Sequence, residues 1–278
     1  MDWIKRLNLA IEFIEENLDG ELDYEDVAGI AGCPSYYFQQ MFLYMTDMTL
    51  REYIRRRRLS LAAVELQKGN RKVTDIAMKY GYESPTAFTR AFKNFHGTTP
   101  SALKTEPVSF QAYPPLSFSM TVHGGAPLQF RVEEKGAFRI IGLSCPLSKE
   151  LTENFERIPA VWDAALKDGT LARLNSMADG EPKGLLGVSV HHTEDWKYMI
   201  AVRSDQKAGE FEEYQIPACR WAVFEGCGTN RTLQELEKRV ITQWLPTSGY
   251  TYANIPDIEV YIRADPEDAV YEYWLPVQ

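Results

Sequence analysis

The stretches Val27–Leu50, VAGIAGCPSYYFQQMFLYMTDMTL, and Ile76–Pro100, IAMKYGYESPTAFTRAFKNFHGTTP, are two copies of one pattern. Val27-Ala28 matches Ile76-Ala77, Gly32 matches Gly81 and Ser35 matches Ser84, each 49 residues apart. Phe38 matches Phe88, Phe42 matches Phe92 and Thr49 matches Thr99, each 50 apart. Each copy reads as a short helix, a tight turn containing glycine and a longer helix. That is the helix-turn-helix shape, in which the second helix enters the major groove of DNA. Two copies in register argue against a chance helical bundle.

Working outward, the first hundred residues read as helix after helix. Trp3, Leu7, Ile11, Ile14 and Leu18 recur at helical spacing, and Gly20 stops that helix. A second helix follows Asp23 and a third runs from about Ser35 to Thr46. Thr49 and Glu52 form a capping box that opens a long helix ending near Gly69. A short helix spans about Val73 to Tyr80. Ser84 then caps, and Pro85 opens, a last helix that reaches His96 and closes at Gly97.

The 278 residues carry a net charge of −9, which taken alone argues against a polyanionic partner. The charge is not evenly spread. Residues 1–50 hold 2 basic and 10 acidic side chains, residues 51–107 hold 12 and 5, and residues 108–278 hold 16 and 24. A basic block between two acidic ones predicts one anion-facing surface. Four cysteines without CxxC spacing predict free thiols in a reducing cytoplasm. The apolar runs are too short to span a bilayer, and MDWIKRLNLAIEF does not read as a signal peptide, so no membrane partner is expected.

After Thr105 the texture changes. EPVSFQAYPPLSFSMTVHGGAPLQF reads as a linker followed by a hairpin, which sets a boundary near 107 and two domains, 1–107 and 108–278. The second domain reads as α+β. Its expected strands are FRIIGLS, GLLGVSV, YMIAVRS, RWAVFEG, DIEVYIRA and VYEYWLP, and its expected helices are roughly Pro159–Lys167 and Thr232–Trp244.

The first part resembles the DNA-binding domain of AraC/XylS-family regulators, two helix-turn-helix motifs joined by a long helix. The resemblance is carried by Ala28, Phe42, Tyr53-Ile54, Arg58-Leu59 and Ala62. In the second motif it rests on Ile76-Ala77, Gly81-Tyr82, Ser84, Phe88, Arg90, Phe92-Lys93, Gly97 and Thr99-Pro100. The second part is similar to GyrI-like effector-binding domains, a duplicated β-α-β-β unit around a small-molecule pocket. Its marks are Ile158-Pro159 with Trp162, Gly187-Val188, Ile216-Pro217, Trp244–Tyr250, Glu259 with Tyr261, and Trp274–Val277. The expected fold is therefore multidomain, an all-α double helix-turn-helix followed by an α+β pocket domain. The resemblance also implies RNA polymerase as a partner and a ligand-facing role for Glu259.

In the second motif Phe88 and Phe92 mark the buried face, which leaves Thr86, Thr89, Arg90 and Lys93 for DNA. Arginine forks onto guanine and lysine suits phosphate. In the first motif Tyr36, Gln39, Gln40 and Leu43 would face DNA. This motif departs from the family: it has no Lys or Arg from Gly32 to Leu50, and Asp47 stands where the second copy has Gly97. In the joining helix Arg55 and Arg56 are candidates for phosphate, while at least one arginine serves as an internal partner for Glu52 or Asp75.

In DIEVYIRA, alternation puts Ile258, Val260 and Ile262 on one face and Glu259, Tyr261 and Arg263 on the other. A carboxylate in an aromatic cavity suits a flat organic cation, with Tyr198, Trp221 and Trp162 as further ligand-binding candidates. His191-His192 with Glu194-Asp195 reads as a solvated hairpin turn, not a metal site, and no cofactor is expected. No catalytic motif stands out. The expectation is a cytoplasmic transcription regulator that senses a small molecule, not an enzyme. Its rivals are a DNA-tethered GyrI-like hydrolase and a sequestering protein.

Overall fold

The structure is a computed structural model that describes residues 3–69, 71–105, 108–119, 127–192 and 195–278. The chain divides into two compact units. One comprises Met1–Ser35 and Thr46–Thr121, the other Tyr36–Met45 and Val122–Gln278.

The first unit is helical: α1 (Trp3–Glu16), α2 (Tyr24–Ala31), α4 (Leu50–Gln67), α5 (Val73–Lys79), α6 (Pro85–His96) and α7 (Pro100–Thr105), with α3 (Ser35–Thr46) contributing its ends. Most boundaries follow the caps read in the sequence. The Asp23 side chain accepts from the Glu25 N–H, Thr49 from the Glu52 N–H and Ser84 from the Ala87 N–H. The repeat is visible in backbone angles as well. Gly32 and Gly81 have φ of 79° and 77°, and Gly97 and Asp47 have 76° and 52°. Asp47 thus takes the left-handed turn that glycine takes in the other copy. Leu59, Ala62 and Leu66 of α4 bury against Ile76, Phe88 and Phe92.

The stretch 108–119, expected as a linker, has no regular secondary structure among its described residues but is tied to this unit. Tyr113 N–H donates to Ser60 Oγ at 2.8 Å, Leu116 N–H to Tyr53 Oη at 3.1 Å and Phe118 N–H to Asn8 Oδ1 at 2.7 Å. Three anchors on three helical positions explain why the first unit runs past residue 107. The rest of the expected hairpin, residues 120–126, lies outside the described residues.

The second unit holds β1 (Phe130–Lys135), β2 (Phe138–Pro146), α8 (Leu151–Lys167), α9 (Thr170–Met177), β3 (Leu185–His192), β4 (Asp195–Arg203), β5 (Glu212–Ile216), β6 (Cys219–Gly228), α10 (Asn230–Arg239), β7 (Ile258–Arg263) and β8 (Ala269–Val277). A π-helical turn, Val240–Trp244, continues α10. Among the described residues the strands form one eight-stranded antiparallel sheet in the order β1-β6-β8-β7-β3-β4-β2-β5. Two β-α-β-β copies are evident, β2-β4-β3 with α8 and α9, and β6-β8-β7 with α10. They join where β3 pairs with β7. One apolar cluster contains Leu186, Val188, Val223, Ile258 and Val260, and another contains Leu185, Tyr198, Ile200 and Val202. Consecutive strand residues thus serve alternate faces. The alternation expected for β7 holds for Ile258 and Val260 but not for Ile262, which is 58% exposed beside an irregularity in the β7–β8 pairing.

Candidate DNA-reading helix and effector cavity

In the first unit α6 is oriented by its apolar stripe. Phe88 and Phe92 are fully buried, and their rings lie 5.4 Å apart. Thr86, Arg90 and Lys93 are consequently exposed and Thr89 is half-buried, so these four positions lie away from the buried phenylalanines.

The arginine run on α4 separates into two pairs. Arg57 turns inward onto Glu15 (2.5 Å), which also accepts from Tyr53 Oη at 2.6 Å. Arg58 donates to the Leu18 and Gly20 carbonyls at 2.9 and 2.6 Å. Arg55 and Arg56 stay toward solvent and share Glu52, at 2.7 and 2.6 Å. Burial pushes the Glu52 carboxyl up, but hydrogen bonds from both arginines outweigh this and hold it below its ordinary value. Of the two acids expected to pair within this run, Glu52 does so with Arg55 and Arg56, while the inward-turned Arg57 pairs instead with Glu15, which spacing on α4 does not reveal because it lies on α1.

The body of α3 belongs to the second unit. Tyr36 and Gln39 are only 6% and 7% exposed, and the Tyr36 ring meets Trp196 edge-on at 5.2 Å. In this arrangement neither side chain offers a surface to a base edge. Gln40, Leu43 and Tyr44 line a cavity of about 200 Å³, which far exceeds the roughly 15 Å³ that one water requires.

Five other elements line that cavity, among them β8 with Ala269 and Tyr271. Helix α8 supplies Asn154, Ile158 and Trp162, and α10 supplies Leu233 and Glu237. Strand β3 contributes Gly187 and Ser189, while β7 contributes Glu259 and Tyr261. Gly187 faces Glu259 across the β3–β7 ladder, and a Cβ added there would overlap both Tyr198 Oη and Glu259 Oε2. Glycine is required by that close approach.

Glu259 Oε2 accepts from Tyr198 Oη at 2.8 Å and from Tyr261 Oη at 2.9 Å. Trp162 Nε1 donates to Tyr198 Oη at 3.1 Å, and the Trp162 and Tyr261 rings meet at 4.9 Å. Glu237, 6% exposed, accepts from Tyr44 Oη at 2.9 Å, and Asp257 accepts from Tyr273 Oη at 2.8 Å. Burial, then the neighbouring Glu259 and Asp257 charges, pushes the Glu237 carboxyl well above its ordinary value. Burial also raises Glu259, against the opposing effect of its two tyrosine hydrogen bonds.

Of the expected ligand residues, the structure brings together Glu259, Tyr261, Trp162 and Tyr198, the last as a buried support for Glu259. Trp221 does not line the cavity. It is fully buried in the other apolar cluster, 5.8 Å from Trp274. Glu237 was missed, although the sequence signals it: Leu233, Glu237, Val240 and Trp244 fall at helical spacing, which places a carboxylate in an apolar stripe. Among the described residues no cluster of three His, Cys, Asp or Glu could hold a metal ion. Thr193 and Glu194 of the expected hairpin turn lie outside those residues. No described helix is long and apolar enough to cross a membrane.

Residues 128–278 match the family described as a GyrI-like small molecule binding domain, and residues 27–106 match a helix-turn-helix domain family. The chain is 47% identical over 95 residues to the regulatory protein SoxS of Salmonella typhimurium, spanning 34% of this chain and 89% of that protein. It is 47% identical over 89 residues to the transposon Tn10 TetD protein of Escherichia coli, covering 32% of this chain and 64% of that protein. The solved structure of SAV2435 bound to tetraphenylphosphonium aligns over 54% of this chain and 94% of that one, at 19% identity and a TM-score of 0.49. The chain belongs to the AraC/XylS-type helix-turn-helix regulators and carries a GyrI-like small molecule binding domain.

Proposed function

We propose that the chain is a transcription regulator whose GyrI-like domain senses a planar organic cation. The observation that carries this reading is the lining of the cavity. Five carboxyl side chains, Asp163, Glu237, Asp257, Glu259 and Asp265, border it together with Trp162, Tyr261 and Tyr271, and among the described residues no Lys, Arg or His does. Such a cavity favours positive charge by Coulomb attraction and a flat ring by contact with aromatic faces. The DNA-reading residues in this proposal are Arg90 and Thr86 at base edges, with Thr89 beside them, and Lys93, Arg55 and Arg56 at phosphates. RNA polymerase is the partner through which occupancy of DNA alters transcription.

Thermal-shift titration with benzamidinium and its neutral isostere benzamide tests the cation reading. Benzamidinium is expected to raise the melting temperature, benzamide to leave it unchanged, and Glu259→Gln to abolish the benzamidinium shift. Equal shifts with both compounds would overturn the reading. Glu259 beside two tyrosine hydroxyls also suits ester hydrolysis, so turnover of an aryl ester that is lost in Glu259→Gln would favour an enzyme instead.

A further inference from the structure

The cavity wall formed by α3 is the feature that neither the sequence nor the family resemblance anticipates. Tyr44 donates its hydroxyl proton to Glu237, so its oxygen is left to accept, and Gln40 Nε2 lies 3.4 Å away as the donor. That orientation leaves Gln40 Oε1 buried, with no hydrogen-bond partner among the described residues, beside the cavity. A buried acceptor left unmet is costly, and release of α3 from the cavity removes the cost. The same helix face was read from the sequence as DNA-facing, and it cannot serve a groove and a cavity wall at once.

We propose that α3 is a switch shared by effector and DNA. A cation with N–H donors enters between Gln40 and Glu237, takes the carboxylate from Tyr44, and frees the Tyr36–Tyr44 face of α3 for the major groove. This rests on the reading of the cavity as a cation site. It adds that the effector and Tyr44 compete for Glu237, so the effector and DNA both favour the released state of α3 and bind with positive coupling. Linkage makes the coupling reciprocal: whatever factor the effector adds to DNA affinity, DNA adds to effector affinity.

The test uses the full chain, benzamidinium as probe, and duplexes selected from a random-sequence pool. Tyr44→Phe removes the hydroxyl without changing the shape of the wall. It is expected to tighten DNA binding about tenfold without the probe, a typical size for coupling between two sites. The footprint should also lengthen by about one helical turn, from one groove to two. On wild type, benzamidinium should produce the same two changes, and Glu237→Gln should remove that response. The inference is overturned if Tyr44→Phe leaves affinity and footprint unchanged, or if bound benzamidinium weakens DNA binding. A probe that fails to bind wild type at all would sink the cation reading instead, while the Tyr44→Phe result still decides whether α3 is held in the cavity.

Discussion

Gly187 shows how much of the cavity beside Glu259 hangs on a single missing atom. The space that a Cβ would fill at Gly187 is taken by Tyr198 Oη and Glu259 Oε2, so an alanine must push apart the two groups whose hydrogen bond fixes the carboxylate. Gly187→Ala is expected to lower stability by about 1–3 kcal/mol through overpacking. Benzamidinium affinity should fall more than tenfold, because Glu259 loses its tyrosine support. Thermal unfolding and a calorimetric titration measure the two effects. A variant with unchanged affinity would show that Glu259 is not held by this contact. Glu259 itself was legible in the sequence because strand alternation assigned it a face, whereas the need for glycine opposite depends on cross-strand register that no local pattern encodes.

At the scale of elements, the caps and apolar stripes of the first hundred residues made the helices readable almost to the residue. Some elements of the second unit were not. β1 and β5 are edge strands with sequences FRVEEK and EEYQI, whose charged, exposed positions blur the period-two signal. Pro159 suggested a helix start but lies inside α8, which begins at Leu151. The exposed faces of α6 and α4 carry a division of labour that can be measured. Arg90→Ala is expected to reduce discrimination between a selected and a random duplex by about 1–3 kcal/mol. Arg56→Ala should weaken both duplexes alike and flatten the salt dependence, since Arg55 remains on Glu52 and the fold is kept. Parallel titrations at several salt concentrations decide between these roles. Identical behaviour of the two variants would mean that α6 does not read bases.

For the whole molecule, the net charge of −9 describes neither functional surface: a basic segment runs through α4 to α6, and an acidic cavity lies in the second unit. The acids tie stability to pH. Glu237 and Glu259 bind protons more tightly in the folded chain than at the ordinary glutamate value of 4.5. Their contribution to stability is therefore full below that value and is lost as pH rises through the raised ones. A bound cation needs the carboxylates charged, so its stabilisation should grow over the same interval. Melting curves with and without benzamidinium, between about pH 5 and 8, should show a ligand-induced shift that increases with pH and flattens in Glu237→Gln. His96 adds a slope of the opposite sign, because burial lowers its value, but it belongs to the first unit and cancels in the difference. A ligand-induced shift independent of pH would exclude the carboxyl pair as the cation's partner. The pairing of β3 with β7 has one more consequence. The seam joins two copies of one β-α-β-β topology, yet it sets a glycine on one side against a glutamate on the other. Two glutamates facing one another there would repel, and two glycines would carry no charge, so the site depends on the two sides of the seam being unlike. One strand supplies the space and the other the charge that fills it.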